Sequence, residues 1–231
     1  MKIEAMTILC IETSTSVCSA TICQGDTLIK QCINYEGSNH ARLLPLYIDE
    51  LLKLAREQHL TIDAVALSEG PGSYTGLRIG TATAKGLCYG LNIPLIPVPT
   101  LQVLCEAAKE KLSPLTSNPS PLLIPMIDAR RMEVYTQIDG QTKAVVVENE
   151  DSLYSGEQEV YYFGDGAAKC QAVFTKPNWH YLPSIVPEAR CLTKNHSLIE
   201  DALSKSLDIA YYEPYYLKEF VAAQSHVKGL H

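Results

Sequence analysis

Two stretches of this chain, separated by about half its length, follow the same plan, and that repetition restricts the fold more than any single residue does. A strand-like run Thr7-Ile-Leu-Cys-Ile11 ends in Glu12, and a second, Leu122 to Ile127, ends in Asp128, 116 positions later in a chain of 231. After each acid come a polar turn, a strand, a tight turn and another strand. In the first copy these are Val17 to Cys23, Gly25-Asp26 and Thr27 to Ile33; in the second, Glu133 to Ile138, Asp139-Gly140 and Ala144 to Val147. Beyond each triplet helices and strands alternate, which is the pattern of crossovers onto a partly parallel sheet.

In the first half a helix of about Asn39 to Glu57 leads to a strand Ala64 to Leu67. A glycine-rich helix from Tyr74 leads to a strand Ile93 to Val98, and a helix near Leu101 to Lys111 closes the lobe. Pro45 has no amide hydrogen, so the first of these helices starts just before it or bends there. In the second half the pattern reads as a strand Val160 to Phe163, a helix after Gly166, a strand near His180 to Leu182 and a helix Glu188 to Leu203. The expected division is a lobe over 1–112, a Pro/Ser/Asn-rich linker over 113–121, a second lobe over 122–220 and a poorly ordered tail over 221–231. The fold class is α/β, two tandem lobes, each a mixed sheet of three antiparallel strands plus parallel strands, flanked by helices.

The segment Gly70-Pro-Gly-Ser-Tyr-Thr-Gly-Leu-Arg-Ile-Gly80 joins a glycine turn to a helix short of side-chain bulk, with Ser73 placed as its cap. Gly76, Gly80, Ala84 and Cys88 recur every four residues and share a face. Each helical glycine costs roughly 1 kcal/mol relative to alanine, so something must approach that face closely; an anion at the turn is the alternative. The preceding helix carries Leu44, Ile48, Leu51 and Ala55 along one line and Leu43, Tyr47 and Leu54 along another, wider than one lobe needs. Together the two helices are expected to pair with a structurally similar lobe through Leu44, Tyr47, Ile48, Leu51, Tyr74, Gly76, Leu77, Arg78, Gly80, Thr83 and Ala84.

The formal charge is -7, and the 19 Lys and Arg are scattered, so the chain offers no electrostatic track of its own for nucleic acid. No window approaches the length of a membrane span, and no basic and apolar leader precedes Glu12, so an intracellular protein is expected. Eight cysteines form no Cys-x-x-Cys and read as small buried hydrophobes; six histidines lack metal-ligand spacing, so no metal is expected. Ser38, Asn39 and His40 lie close together, but no nucleophile elbow or metal pair surrounds them, which argues against protease chemistry.

Strand, acidic turn, hairpin, then helix and strand, in two lobes, resembles the superfamily of acetate and sugar kinases, Hsp70 and actin, with its ribonuclease H-like fold and ATP between the lobes. Five stretches resemble the TsaB (YeaZ) family more closely: Ile11-Glu-Thr-Ser-Thr15, His40-Ala-Arg-Leu-Leu-Pro-Leu46, Gly70 to Gly80, Ile127-Asp-Ala-Arg130 and Glu213-Pro-Tyr-Tyr-Leu-Lys218. The resemblance implies a cytoplasmic, non-catalytic subunit of the machinery that makes threonylcarbamoyladenosine beside the anticodon of tRNA. It implies pairing with a TsaD-like catalytic subunit that a TsaE-like ATPase joins, a homodimer when alone, and tRNA contact only through the complex. Active relatives place an Asp and a closely following Gly in each phosphate loop, whereas this chain has Glu12-Thr-Ser-Thr and Asp128-Ala-Arg-Arg. Glu12, Thr13, Ser14, Asp128, Gly164 and Gly166 therefore mark at most a residual nucleotide site, with ATP or ADP held weakly at the complex interface. The rival readings are a free-standing ATPase or small-molecule kinase and, less favoured, a glycoprotease. Glu12 and Asp128 are expected to hydrogen-bond their own turns, Arg130 to pair back to a neighbouring carboxylate, and His40 to act as a hydrogen-bond partner at a helix start.

Overall fold

The computed structural model describes residues 3–37, 39–113, 121–205 and 207–218. The proposed linker, but for its end residues Ser113 and Pro121, and the tail over 221–231 lie outside the described residues, as does Ser38. Strands β1 (Thr7–Glu12), β2 (Cys18–Gln24), β3 (Thr27–Asn34), β4 (Ala64–Gly70) and β5 (Leu95–Pro99) form one sheet in the order β3-β2-β1-β4-β5. Strands β6 (Leu122–Asp128), β7 (Glu133–Ile138), β8 (Gln141–Val146), β9 (Val160–Phe163) and β10 (Trp179–Leu182) form a second in the order β10-β9-β6-β7-β8. Read from its antiparallel edge, the second sheet repeats the order of the first. In each, the first strand pairs antiparallel with the second and parallel with the fourth, so the repetition in the chain is a repetition of topology. Asp139 and Gly140, with φ of 50° and 74°, make the two-residue turn that joins β7 to β8.

Both faces of the first sheet are buried, and β1 shows how. Ile8 and Cys10 point to one core while Leu9 and Ile11, offset by one, point to another. The second of these cores lies under α1 (His40–Glu57) and α2 (Tyr74–Leu91), which contribute Leu44, Ile48, Leu51, Ala55, Ala84 and Cys88. The first lies under α3 (Thr100–Leu112) and is shared between the lobes. It joins Leu101 and Leu104 to Ile127, Phe163 and Leu182, and to Ile199 of α4 (His196–Ser204). A third core, on the far face of the second sheet, collects Ile124, Met126, Tyr162 and Trp179 beneath the 3-10 turn Ala168–Ala172.

Two expected helices change form. The stretch after Gly166 is the 3-10 turn Ala168–Ala172, and Glu188 to Leu203 is not one helix but a 3-10 turn, Ala189–Cys191, followed by α4. The break has a local and a distant cause: the Asn195 side chain accepts from Leu198 N, which starts a new helix at His196, and Ala189 N is held by Ser19 Oγ of the first lobe at 2.9 Å. Helix α1 begins before Pro45 and passes through it, with the ring on the exposed side. All eight cysteines are buried free thiols. Residues 207–218 cross back to the first lobe, where Ile209 and Tyr212 pack into the core beneath α1 and α2 and Tyr215 N donates to Glu69 O at 2.8 Å. Among the described residues no helix is long and apolar enough to cross a membrane.

Candidate functional site

The two acidic turns stand at the ends of β1 and β6, where the lobes face each other. Glu12, Thr13 and Ser14 are fully buried, although all three are polar. Glu12 Oε1 accepts from Ser14 N at 2.6 Å and from the Ser14 hydroxyl, so the carboxylate takes up the amide of its own turn. Among the described residues Glu12 Oε2 has no hydrogen-bond partner; the nearby Ser68 hydroxyl is engaged with Thr100 Oγ1 at 2.9 Å. Burial raises the Glu12 pKa, the Ser14 and Ser68 hydroxyls oppose the shift, and the charge of Asp165 adds to it.

The turn is then sealed by α2. Ser73, whose side chain caps the helix by accepting from Gly76 N, gives its own amide to Ser14 O at 2.6 Å, and Thr13 Oγ1 donates to Gly76 O at 2.8 Å. The glycine spacing now has its reason. A Cβ on Gly76 would lie 2.0 Å from Thr13 O, and one on Gly80 would lie 2.3 Å from Thr13 Oγ1. The close approach anticipated for this face is made by the lobe's own turn.

That packing corrects the expected interface at seven positions. Leu44, Ile48, Leu51, Gly76, Leu77, Gly80 and Ala84 are buried in the first lobe, because α1 and α2 must each spend one face covering β1, β2 and β4 before any remains for a partner. Of the expected set, Tyr47, Tyr74, Arg78 and Thr83 keep surface. The structure adds outward residues that the sequence reading missed: Leu46, 59% exposed, Ala82, Gly86 and Tyr89, 89% exposed. Helical phase could have found them, since they lie opposite the line Leu44–Ile48–Leu51 or the line Gly76–Gly80–Ala84. Arg78 stacks over the Tyr74 ring, 4.5 Å from its centroid, and its Nε donates to Tyr216 Oη at 3.3 Å.

The second turn is built differently. Asp128 is exposed; its amide donates to Asp165 Oδ1 at 3.0 Å and its carboxylate pairs with Lys169. Arg130 does not pair back to a carboxylate among the described residues, since Lys169 has taken that place; Arg130 and Arg131 stand exposed with φ of 70° and 50°. Burial raises the Asp165 pKa, partly offset by the Asp128 amide. Gly164, with φ of 104°, and Gly166 run against β6, and a Cβ on either would meet Met126 O at 2.1 Å or Ile127 C at 2.9 Å. Both glycines are thus spent on a backbone crossing inside the lobe. Of the six residues of the residual nucleotide site, Glu12 holds the Ser14 amide and Gly166 gives its amide to Met126 O at 3.1 Å. His40 Nε2 lies 3.1 Å from Val17 O, a hydrogen-bonding role and not that of a base. Among the described residues no group of three or more His, Cys, Asp or Glu is placed to hold a metal ion.

Comparison with known proteins places this geometry. Residues 34–157 match the family model described as "TsaD: tRNA N6-adenosine threonylcarbamoyltransferase". A protein of Haemophilus influenzae named tRNA threonylcarbamoyladenosine biosynthesis protein TsaB is 36% identical over 57% of this chain, a match spanning about half (53%) of that protein. The protein of the same name from Escherichia coli is 27% identical over 94% of this chain and 96% of its own length. The solved structure of YeaZ from Pseudomonas aeruginosa superposes with a TM-score of 0.69 at 24% identity, covering 92% of this chain and all of that one, which establishes the shared fold. With a family model over more than half of its length, the chain belongs to the family that this model describes, and the relatives from Haemophilus influenzae and Escherichia coli that it resembles carry the name TsaB.

Proposed function

We propose that this chain is a non-catalytic subunit of the machinery that makes N6-threonylcarbamoyladenosine in tRNA. The observation that carries the absence of chemistry is the closure of the Glu12 turn on itself and on α2. A carboxylate that already holds the Ser14 amide, with no water-facing atom, neither orders a metal nor receives a phosphate. The names of its relatives support the pathway. The outward surface of α1 and α2, with Leu46, Tyr47, Ala82, Thr83 and Tyr89, is the surface for a TsaD-like catalytic subunit, itself a relative by the family match. A second copy takes that surface when the chain is alone, and a TsaE-like ATPase joins the assembled pair. The chain acts in the cytoplasm, holds no nucleotide of its own, and meets tRNA only within the complex, consistent with its formal charge of -7.

Reconstitution of threonylcarbamoyl transfer with and without this chain tests the reading. Transfer that needs the chain, and survives Glu12→Gln, agrees with it. Transfer that is indifferent to the chain sinks it, and magnesium-dependent ATP hydrolysis by the purified chain, abolished by Glu12→Ala, would establish the rival.

A further inference from the structure

Where residues 207–218 return across α2 they leave an open pocket of about 240 Å³, walled on one side by the helix and on the other by the returning segment. The helix supplies Arg78, Thr81 and Lys85; the segment supplies Glu213 and Tyr216. The segment is fastened on both sides of the opening. Lys85 Nζ donates to Ala210 O at 2.9 Å and Tyr212 O at 3.0 Å, and the Tyr216 ring lies 5.1 Å from that of Tyr74.

The donors facing the pocket are only partly used. Arg78 spends Nε on Tyr216 Oη, and among the described residues its two terminal nitrogens make no hydrogen bond. Lys85 keeps one of its three N–H groups after the two carbonyls. Thr81 also lines the pocket, but it is 6% exposed and its hydroxyl, closed off from solvent, has no partner among the described residues.

We propose that this pocket binds a singly charged carboxylate. The planar fork of Arg78 matches a carboxylate in two parallel bonds, and Lys85 supplies a further donor. Glu213 sets the charge: two cations and one anion leave the walls one positive charge in excess. A phosphate group, with a charge of about −1.5 to −2 at neutral pH, would face Glu213 with its surplus. The carboxylate comes either from a free small acid or from an Asp or Glu side chain of a protein seated against α2. The site stands independently of the proposed role in tRNA modification.

The test is a titration of the isotope-labelled full chain with propionate, and in parallel with inorganic phosphate, following the Arg78 Nε–H and the amides around Thr81 and Tyr216 by NMR. Saturable shifts with propionate are expected, lost by about tenfold or more in Arg78→Met, as removal of a charge-assisted bond predicts. Glu213→Gln should tighten binding and admit phosphate. That gain also guards against misfolding, because a damaged protein does not acquire affinity. Absence of saturable shifts, or equal affinity in Arg78→Met, overturns the proposal. Displacement of propionate by a TsaD-like subunit identifies a partner side chain as the source; simultaneous binding identifies a free acid.

Discussion

Glu12 and Asp128 end equivalent strands of two sheets with the same order, yet one turn is closed and the other open. Over the first turn lies α2, an 18-residue helix whose glycines admit the Thr13 and Ser14 backbone. At the corresponding place in the second lobe stands only the five-residue 3-10 turn Ala168–Ala172, which sends Lys169 to Asp128 and leaves Arg130 and Arg131 at the surface. The carboxylates follow suit. Buried Glu12 satisfies its own turn, whereas exposed Asp128 takes a lysine. What separates the two copies is the helix that follows the fourth strand, more than the turns themselves.

The largest test of this contrast is to obstruct the closure. Gly80→Leu forces a side chain into Thr13 and Leu67 and should cost the fold at least about 3 kcal/mol in urea denaturation, the upper range for overpacking. Gly86→Ala, on the same helix but with open space around its Cβ, should instead gain up to about 1 kcal/mol from helix propensity. Equal effects would mean that the turn does not press on the glycine face.

Next in size is a pH effect. Because burial raises the Glu12 pKa above its value in the unfolded chain, the folded protein holds that proton more tightly. Stability is therefore fullest below the unfolded value, about 4.3, and falls as pH rises through the elevated folded one. Asp165, raised by burial as well, adds a loss of the same sign. Glu12→Gln keeps an acceptor for Ser14 N and removes the buried charge. It should raise the thermal midpoint at pH 8 and leave it unchanged at pH 4; a variant equally stabilised at both would show that the charge is not the cost.

The smallest effect belongs to the open turn. Arg131 sits in the left-handed region, which costs a non-glycine residue about 1–2 kcal/mol, so Arg131→Gly should stabilise by about 0.5 kcal/mol after the added freedom of the unfolded chain is subtracted. A loss instead would mean that the arginine side chain holds the turn.

Much of this contrast was written in local pattern. The strands Glu133–Ile138 and Val160–Phe163 fall at the expected residues, and α1, α2 and α3 within one residue or so, because apolar alternation, Ser73 and the glycine turns are short-range signals. The helix expected over Glu188 to Leu203 failed for a long-range reason: Ser19, 170 residues earlier, binds Ala189 N and draws the chain against the first sheet.

The candidate interface divided along the same line. The sequence by itself determined that α2 is capped at Ser73, that small residues recur on one face, and that something must lie close to it, since a glycine every fourth residue is a costly choice in an isolated helix. Only the tertiary structure decided that the close neighbour is Thr13, 63 positions away and within the same lobe, and that the returning segment builds a pocket against the helix's flank. Periodicity reports which side chains share a face, but which body covers that face depends on contacts between residues far apart in the chain.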